Sequence, residues 1–292
     1  MEIAPKRTVT VRSAGEKWRF WNLCDFHLGN ESVDEALAER VVEAIRKDPH
    51  SLWVGAGDYC ECITKTDPRF SAGTLAPWIG TKDIDTLLDS QKKRACQLLR
   101  PIAGKCLGLV RGNHENKALK VNGVDVTKDI ADTLRVPDLK LTGYIPVVFH
   151  SIQRGNSQVV CRIVVLHGRC HATTKAGRMT YLNRQAQQWE CDLLFMGHVH
   201  DAMATPVPRI GVNAAHSDVK AFTTLAMFSG GYLKGYELHK ENYIEEATYS
   251  PTALGPWAVD VRVLRKGGGL RADGSRDPER YTFEMKVIDP DY

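Results

Sequence analysis

Five apolar runs in this chain each end in the same kind of polar cluster, and that recurrence constrains the fold more than any other feature. "KWRFWNLCDFH" (17–27) closes on Asp25 and His27. "SLWVGAGDY" closes on Gly57-Asp58, and "KCLGLVRGNHE" on Gly112-Asn113-His114-Glu115. "RIVVLHG" closes on His167-Gly168, and "CDLLFMGHVH" on Gly197-His198-Val199-His200. Each run has the length of a buried strand. In open α/β sheets, functional groups collect at the carboxyl ends of strands. Five such ends would gather Asp25, His27, Asp58, Asn113, His114, His167, His198 and His200 into one crevice.

Helical patterns separate these runs. Val33, Leu37, Val41 or Val42, and Ile45 repeat at helical spacing over 33–47, with Ser32 as N-cap and Glu35 three residues on. Residues 83–100 predict a second helix that stops before Pro101, and "TKDIADTLRV" and "TYLNRQAQQWE" predict two more. "GYIPVVFHSIQRGNSQVVCRIVVLHG" reads as two strands joined by the turn "QRGNSQ". "AFTTLAMFSGGYL", "PWAVDVRVLRK" and the end of "GGGLRADGSRDPERYTFEMKVIDP" add strands, which in the last third would be antiparallel. Helices interleaved with strands predict an α/β sandwich. No polar linker divides the chain, so 1–292 reads as one domain: a catalytic core over 17–235 and a strand-rich extension over 236–292 packed on it.

Composition excludes several classes. With 39 Lys+Arg against 35 Asp+Glu, the net charge is +4. This permits nucleic acid as a partner without demanding it. No run reaches the roughly 18 apolar residues that span a bilayer, and "MEIAPKRTVTVR" lacks the apolar region of a secretory signal. A cytoplasmic protein with no membrane contact is expected. The 8 cysteines are dispersed, and Cys60 and Cys62 are too close for a zinc ribbon, so reduced, buried thiols are expected.

The strand-end groups form a set of carboxylates, imidazoles and one amide carbonyl. It is too rich for a structural zinc site closed by four ligands. It suits two metal ions, and one aspartate has the two oxygens needed to bridge them. In Asp25-x-His27 and His198-x-His200, residues i and i+2 would project to one side of an extended segment.

The ordered series Asp25-x-His27, Gly57-Asp58, Gly112-Asn113-His114-Glu115, His167 and Gly197-His198-x-His200 resembles the calcineurin-like metallophosphoesterase superfamily, over residues 20 to 200. "SGGYLKGYELHKENYIEEATYSPTALGP" more weakly resembles the C-terminal part of members found in bacteriophage genomes. A phage origin would make the location the host cytoplasm. The resemblance implies a four-layer α-β-β-α sandwich of two mixed sheets, with a dinuclear metal site at the strand carboxyl ends. It implies one cation on Asp25, His27, Asp58 and His200, and a second on Asp58, Asn113, His167 and His198, with Asp58 as bridge. His114 would contact the substrate phosphate, stabilising the transition state or protonating the leaving oxygen. Glu115 would orient His114 or a neighbouring backbone group. The activity implied is two-metal hydroxide attack on phosphorus. Mixed Asp, Asn and His ligands suit Mn²⁺, Zn²⁺, Fe or Co, and Mn²⁺ is the expected activating ion.

The substrate is less constrained. The protein phosphatases of the superfamily continue their second motif Asp-x-x-Asp-Arg-Gly, whereas here Asp58 is followed by "YCECIT", which lacks that Arg. A Ser/Thr-type protein phosphatase is therefore disfavoured. The long insert from Tyr59 to about Lys82 would form a rim or lid, and its Tyr59, Lys65, Arg69, Phe70 and Trp78 would hold a backbone and stack a base, or pack on one another. Arg169, Lys175 and Arg178 follow His167 and would meet a phosphate chain or solvent. The first reading is a phosphodiesterase or nuclease acting on DNA, RNA or a nucleotide diester, with Asn113, His114, Tyr59, Arg69 and Arg169 touching substrate. A phosphomonoesterase (nucleotidase or nucleic-acid end phosphatase) is the second. An inactive binding scaffold is a third, disfavoured because every ligand is present. A homodimer, as in nuclease relatives, is compatible with this reading.

Overall fold

A computed structural model describes residues 1–13, 15–151, 157–212, 219–236, 245, 250–266 and 280–290. The turn "QRGNSQ", the loop "GGGLRADGSRDPER" and much of the phage-like segment after Tyr236 lie wholly or mostly outside the described residues. The strands in chain order are β1 (Glu2–Ile3), β2 (Arg7–Val11), β3 (Trp18–Leu23), β4 (Ser51–Gly55), β5 (Cys106–Leu109), β6 (Thr142–Ser151), β7 (Ser157–Leu166), β8 (Leu193–Met196), β9 (Met203–Val212), β10 (Val219–Phe228), β11 (Ala258–Lys266) and β12 (Arg280–Ile288). The α-helices are α1 (Glu35–Lys47), α2 (Leu87–Leu99), α3 (Asn113–Asn122), α4 (Val126–Leu134) and α5 (Lys175–Ala186).

Two mixed sheets face each other. One has the order β12-β11-β3-β4-β5, with β3, β4 and β5 parallel and β11 and β12 antiparallel. The other runs β1-β6-β7-β8-β10-β9, with β2 also on β6. Side chains alternate across each sheet. Phe20, Leu52, Val54 and Leu107 of the first sheet meet Ile163, Val165, Leu193, Phe195 and Met227 of the second in the inter-sheet core. On the outer face of the first sheet, Trp21, Leu23 and Trp53 pack on Leu37, Val41 and Ile45 of α1, Leu98 and Leu99 of α2, and Ile130 of α4. On the outer face of the second, Val164, Leu194 and Met196 pack on Leu182 and Ala186 of α5. The result is the expected α-β-β-α sandwich.

Local departures have local causes. α1 is capped by Asp34, whose Oδ1 accepts from the Leu37 amide at 2.9 Å, and not by Ser32. The α2 segment begins as a 3₁₀ helix over Thr81–Thr86 and continues past Leu99 as another over Arg100–Lys105, which accommodates Pro101 in its first turn. α3 and β9 were not legible as elements. β9 contains Pro206 and Pro208, which lack an amide donor, and it is tolerated because among the described residues it forms a sheet edge and pairs with β10 alone. The C-terminal strands do not form a separate layer. β11 pairs directly with β3, setting Ala258 against Trp21 and Val261 against Trp18.

Candidate metal centre

Every nominated ligand sits just past a strand end. β3 stops at Leu23, before Asp25 and His27, and β4 stops at Gly55, before Asp58. β7 stops at Leu166, before His167, and β8 stops at Met196, before His198 and His200. The loops that follow continue the ladder. The Asp25 amide donates to Gly57 O at 3.0 Å, the His27 amide to Asp58 O at 3.1 Å, and the Gly197 amide to His167 O at 3.2 Å. Asn22 ties the two sheets together below the site, its side-chain amide donating to Met196 O at 2.8 Å.

The ligand pairs do not reach the site as alternate residues of an extended strand, as the i, i+2 spacing suggested. Asp25 (φ 53°), His27 (φ 49°), Asp58 (φ 53°), His198 (φ 80°) and His200 (φ 51°) all lie in the left-handed region. Tight turns aim them. Each such non-glycine residue costs about 1–3 kcal/mol, a strain that clusters at functional sites. The backbone of Asp58 also lies close against Gly112. A Cβ on Gly112 would come within 2.0 Å of Asp58 Oδ1, so only glycine fits there.

The side chains converge in three overlapping groups, of which His27, Asp58 and His114 are one and the other two frame the cation positions. Asp25, His27 and His200 form one of those two, with donor atoms all within 4.8 Å of one another, and Asp58, His167 and His198 form the other. His27 Nε2 and His200 Nε2 are 3.2 Å apart, and His200 Nε2 is 3.5 Å from Asp25 Oδ1. Asn113 Oδ1 stands 2.9 Å from His167 Nε2 and 2.8 Å from His198 Nδ1. Asp58 Oδ2 lies between the clusters, 3.1 Å from His167 Nε2 and 3.8 Å from His27 Nε2. Ligand atoms held about 2.0–2.2 Å from a common ion are spaced about 3 Å from one another, so these contacts suit a cation in each cluster.

The electrostatics fit as well. Burial alone would lower the His27 pKa, but the Glu61 hydrogen bond and the charges of Glu61, Asp58 and Asp25 outweigh it and push it up to about 9. Burial opposes a charge on His167 too, but Asp58 and Asp25 raise its pKa to about 10. Burial and neighbouring imidazoles push His198 and His200 down to about 4. Asp58, although buried, is held well below the usual carboxylate range by His167, His114 and His27. Each cluster thus keeps one positive charge among its donors, where a divalent cation would replace the proton.

The floor is buried and the rim is open. Asp25, Asp58, His27 and His167 are buried, whereas Asn113 is exposed and His114, His198 and His200 are half-buried. His114 Nδ1 hydrogen-bonds the main-chain oxygen of Glu61 at 2.5 Å, and the His114 amide donates to Asp58 Oδ1 at 2.9 Å. His171 was not singled out in the sequence, yet its ring lies 6.4 Å from that of His198.

Glu115 orients backbone, not His114. Its carboxylate accepts from the amides of Asp58 (3.0 Å), Gly112 (3.0 Å) and Cys60 (3.1 Å). Burial, with the Asp58 charge adding, pushes its pKa up to about 7, against the amides that favour the carboxylate. Glu115→Ala would leave three buried amides without an acceptor, each worth about 1–3 kcal/mol. Urea unfolding should show a loss of at least about 3 kcal/mol.

The nominated substrate contacts divide. Tyr59 is a correction: it is fully buried and its hydroxyl donates to Val110 O at 2.9 Å, so it belongs to the core and not to the rim. Arg69 is exposed, and its guanidinium is paired with Asp67 at 2.9 Å; Lys117 of α3 joins the same carboxylate at 2.8 Å. Lys117 stands three residues after His114 on α3. Arg169 is exposed two residues past His167, its amide donating to the Tyr181 hydroxyl. Arg178 is spent on Asp201 at 3.0 Å, which clips α5 to the His198–His200 loop. Lys65 pairs with Asp85, and Trp78 donates to Glu35. All eight cysteines are buried and free.

No family model matches the chain, and no curated protein matches it. Among solved structures, it is similar to Vps29 from Chaetomium thermophilum at 11% identity and a TM-score of 0.39, covering 92% of this chain and 97% of that one. It is similar to a predicted phosphoesterase from Streptococcus pneumoniae TIGR4 at 14% identity and a TM-score of 0.34, covering 94% and 100%. A metallophosphoesterase from Sphaerobacter thermophilus gives 14% identity and a TM-score of 0.35, covering 92% and 88%. At such scores these likenesses carry no argument of their own. The two-sheet sandwich and the order of the site's residues in the chain agree with the resemblance read from the sequence.

Proposed function

We propose that the chain is a metal-dependent phosphoester hydrolase of the calcineurin-like kind, acting on phosphodiesters of nucleic acid or nucleotides. The observation that carries this reading is Asp58 standing between two Asp/His clusters at the end of five strands. Asp25, His27, Asp58 and His200 would hold one divalent cation, and Asp58, Asn113, His167 and His198 a second. Bound there, the cations would neutralise phosphoryl oxygens and activate water near neutral pH. Mn²⁺ is our choice among the ions that this donor set suits.

The chain's own residues supply the rest. Asn113, His114, His198 and His200 are more exposed than the buried floor, so a phosphate that reaches the clusters from solvent would meet His114. Its Nδ1 is committed to Glu61 O, which leaves Nε2 for the substrate. A protonated Nε2 would stabilise the transition state or give its proton to the leaving oxygen. Two features favour a diester. The rim side chains are exposed or half-buried, which suits a substrate that extends beyond the phosphate. Arg69 and Lys117 share the single carboxylate Asp67, so this trio keeps net positive charge on the insert and on α3, suited to a polyanionic chain.

The test is hydrolysis of bis(p-nitrophenyl) phosphate beside p-nitrophenyl phosphate, with Mn²⁺ and an EDTA control. We expect Mn²⁺-dependent turnover that favours the diester. Monoester preference would overturn the diester assignment, and EDTA-insensitive turnover would overturn the metal-dependent one. Among the described residues, no helix is long and apolar enough to cross a membrane.

A further inference from the structure

We infer that Glu61 is a positioning residue which backs one cation position with a carboxylate, making the two positions unequal in affinity. This rests on the metal-dependent reading above. Glu61 stands three residues after Asp58 and was not among the nominated ligands.

Its Oε2 lies 2.8 Å from His27 Nδ1. The carboxylate side chain is only 12% exposed. A hydrogen bond from Nδ1–H to a carboxylate fixes the imidazole ring and tautomer, and makes the other nitrogen a stronger metal donor. His27 Nε2 is that nitrogen, and it faces His200 and Asp58. His167, the buried imidazole of the other cluster, has only a neutral partner: its Nδ1 meets the main-chain oxygen of Ala56 at 2.8 Å.

The carboxylates are divided in the same way. The His27 cluster has Asp25, a share of Asp58, and Glu61 behind it. The His167 cluster has a share of Asp58 and the neutral Asn113. A divalent cation is therefore held more tightly beside His27, and the cation beside His167 exchanges more readily.

Glu61 is itself rigidly placed. Its amide donates to Leu28 O at 3.0 Å, in the segment just after His27. The Cys60 amide is held by Glu115 at 3.1 Å, and the Cys62 amide by Gln91 at 2.9 Å. Three consecutive amides are pinned. The main-chain oxygen that holds His114 therefore stays in place when the Glu61 side chain is changed, and the two contacts of this residue are separable by mutation.

The experiment is calorimetric titration of Mn²⁺ into wild type, Glu61→Gln and Glu61→Ala, with bound manganese counted by elemental analysis. Wild type should bind two ions in two steps. Both variants should lose about 10–100-fold in the tighter step, the usual cost of removing such a partner, and keep the weaker one. At saturating Mn²⁺ both variants should again hold two ions by elemental analysis. Two unchanged steps in both variants would overturn the inference while leaving the metal reading intact. Equal weakening of both steps, with a lower melting temperature before metal is added, would overturn it in favour of plain packing. A wild type that binds no Mn²⁺ would overturn the inference and the reading beneath it together.

Discussion

Asp58→Asn should lose both cations and about 10³-fold of turnover, the equivalent of several kcal/mol of transition-state stabilisation. Asp58 reaches donor atoms of both clusters, with Oδ2 at 3.1 Å from His167 and 3.8 Å from His27. An amide in its place puts a neutral group where two positive centres meet. The fold should survive. Asparagine tolerates the left-handed backbone at this position, where φ is 53°, and its Oδ1 still accepts from the His114 amide. Elemental analysis and circular dichroism together decide the matter. A variant with native dichroism and two bound metal ions would show that Asp58 does not bridge.

His114→Ala should behave in the opposite way, retaining both cations while turnover falls by about 10²–10⁴-fold. Its Nδ1 is committed to Glu61 O, so the ring presents Nε2 to whatever sits on the rim. The fall should be small for p-nitrophenolate, which leaves without a proton, and large for an alkyl or nucleoside leaving group. His114 also lies within 4.8 Å of donor atoms of His27 and Asp58, which makes metal content a necessary control. Loss of a cation in this variant would reassign His114 as a ligand. Full activity on a poor leaving group would remove its acid role.

The parts of the centre legible in the sequence were those written as local pattern. A buried strand is an apolar run, and a polar residue at its end is conspicuous because burying it without a partner is costly. Asp25, His27, Asp58, His167, His198 and His200 all announced themselves in this way. Glu61 did not, because it lies in an irregular loop with no period; its one signal was its place three residues after Asp58, where the Asp-x-x-Asp-Arg-Gly motif has its second Asp. Tyr59 misled for the same reason: one residue past Asp58 the chain turns inward, and an aromatic in a polar insert proves to be core. α3 was hidden by its own start, since "GNHE" reads as the end of a strand, while Glu115 accepting from the Gly112 amide makes it a helix N-terminus. The left-handed turns at the ligands are also silent in sequence, because they occur at Asp and His where glycine would be expected.

The pairing of β11 with β3 has a consequence for how the chain comes into being. β3 carries Asp25 and His27 just beyond its end, yet its neighbour on one side is made more than 230 residues later, since Leu23 precedes Ala258. At ribosomal speeds of about 5–20 residues per second, that wait is on the order of 10–50 s. Throughout it, the strand that aims the first two donors has an open edge, with Trp18 and Trp21 awaiting their partners. A nascent chain can assemble β4 and β5 beside β3 early, but this edge of β3 closes only once β11 has been made. The end of the sheet that carries the first two donors is thus completed by a strand made long after them, and a chain stalled before β11 would display a sticky, half-built sheet.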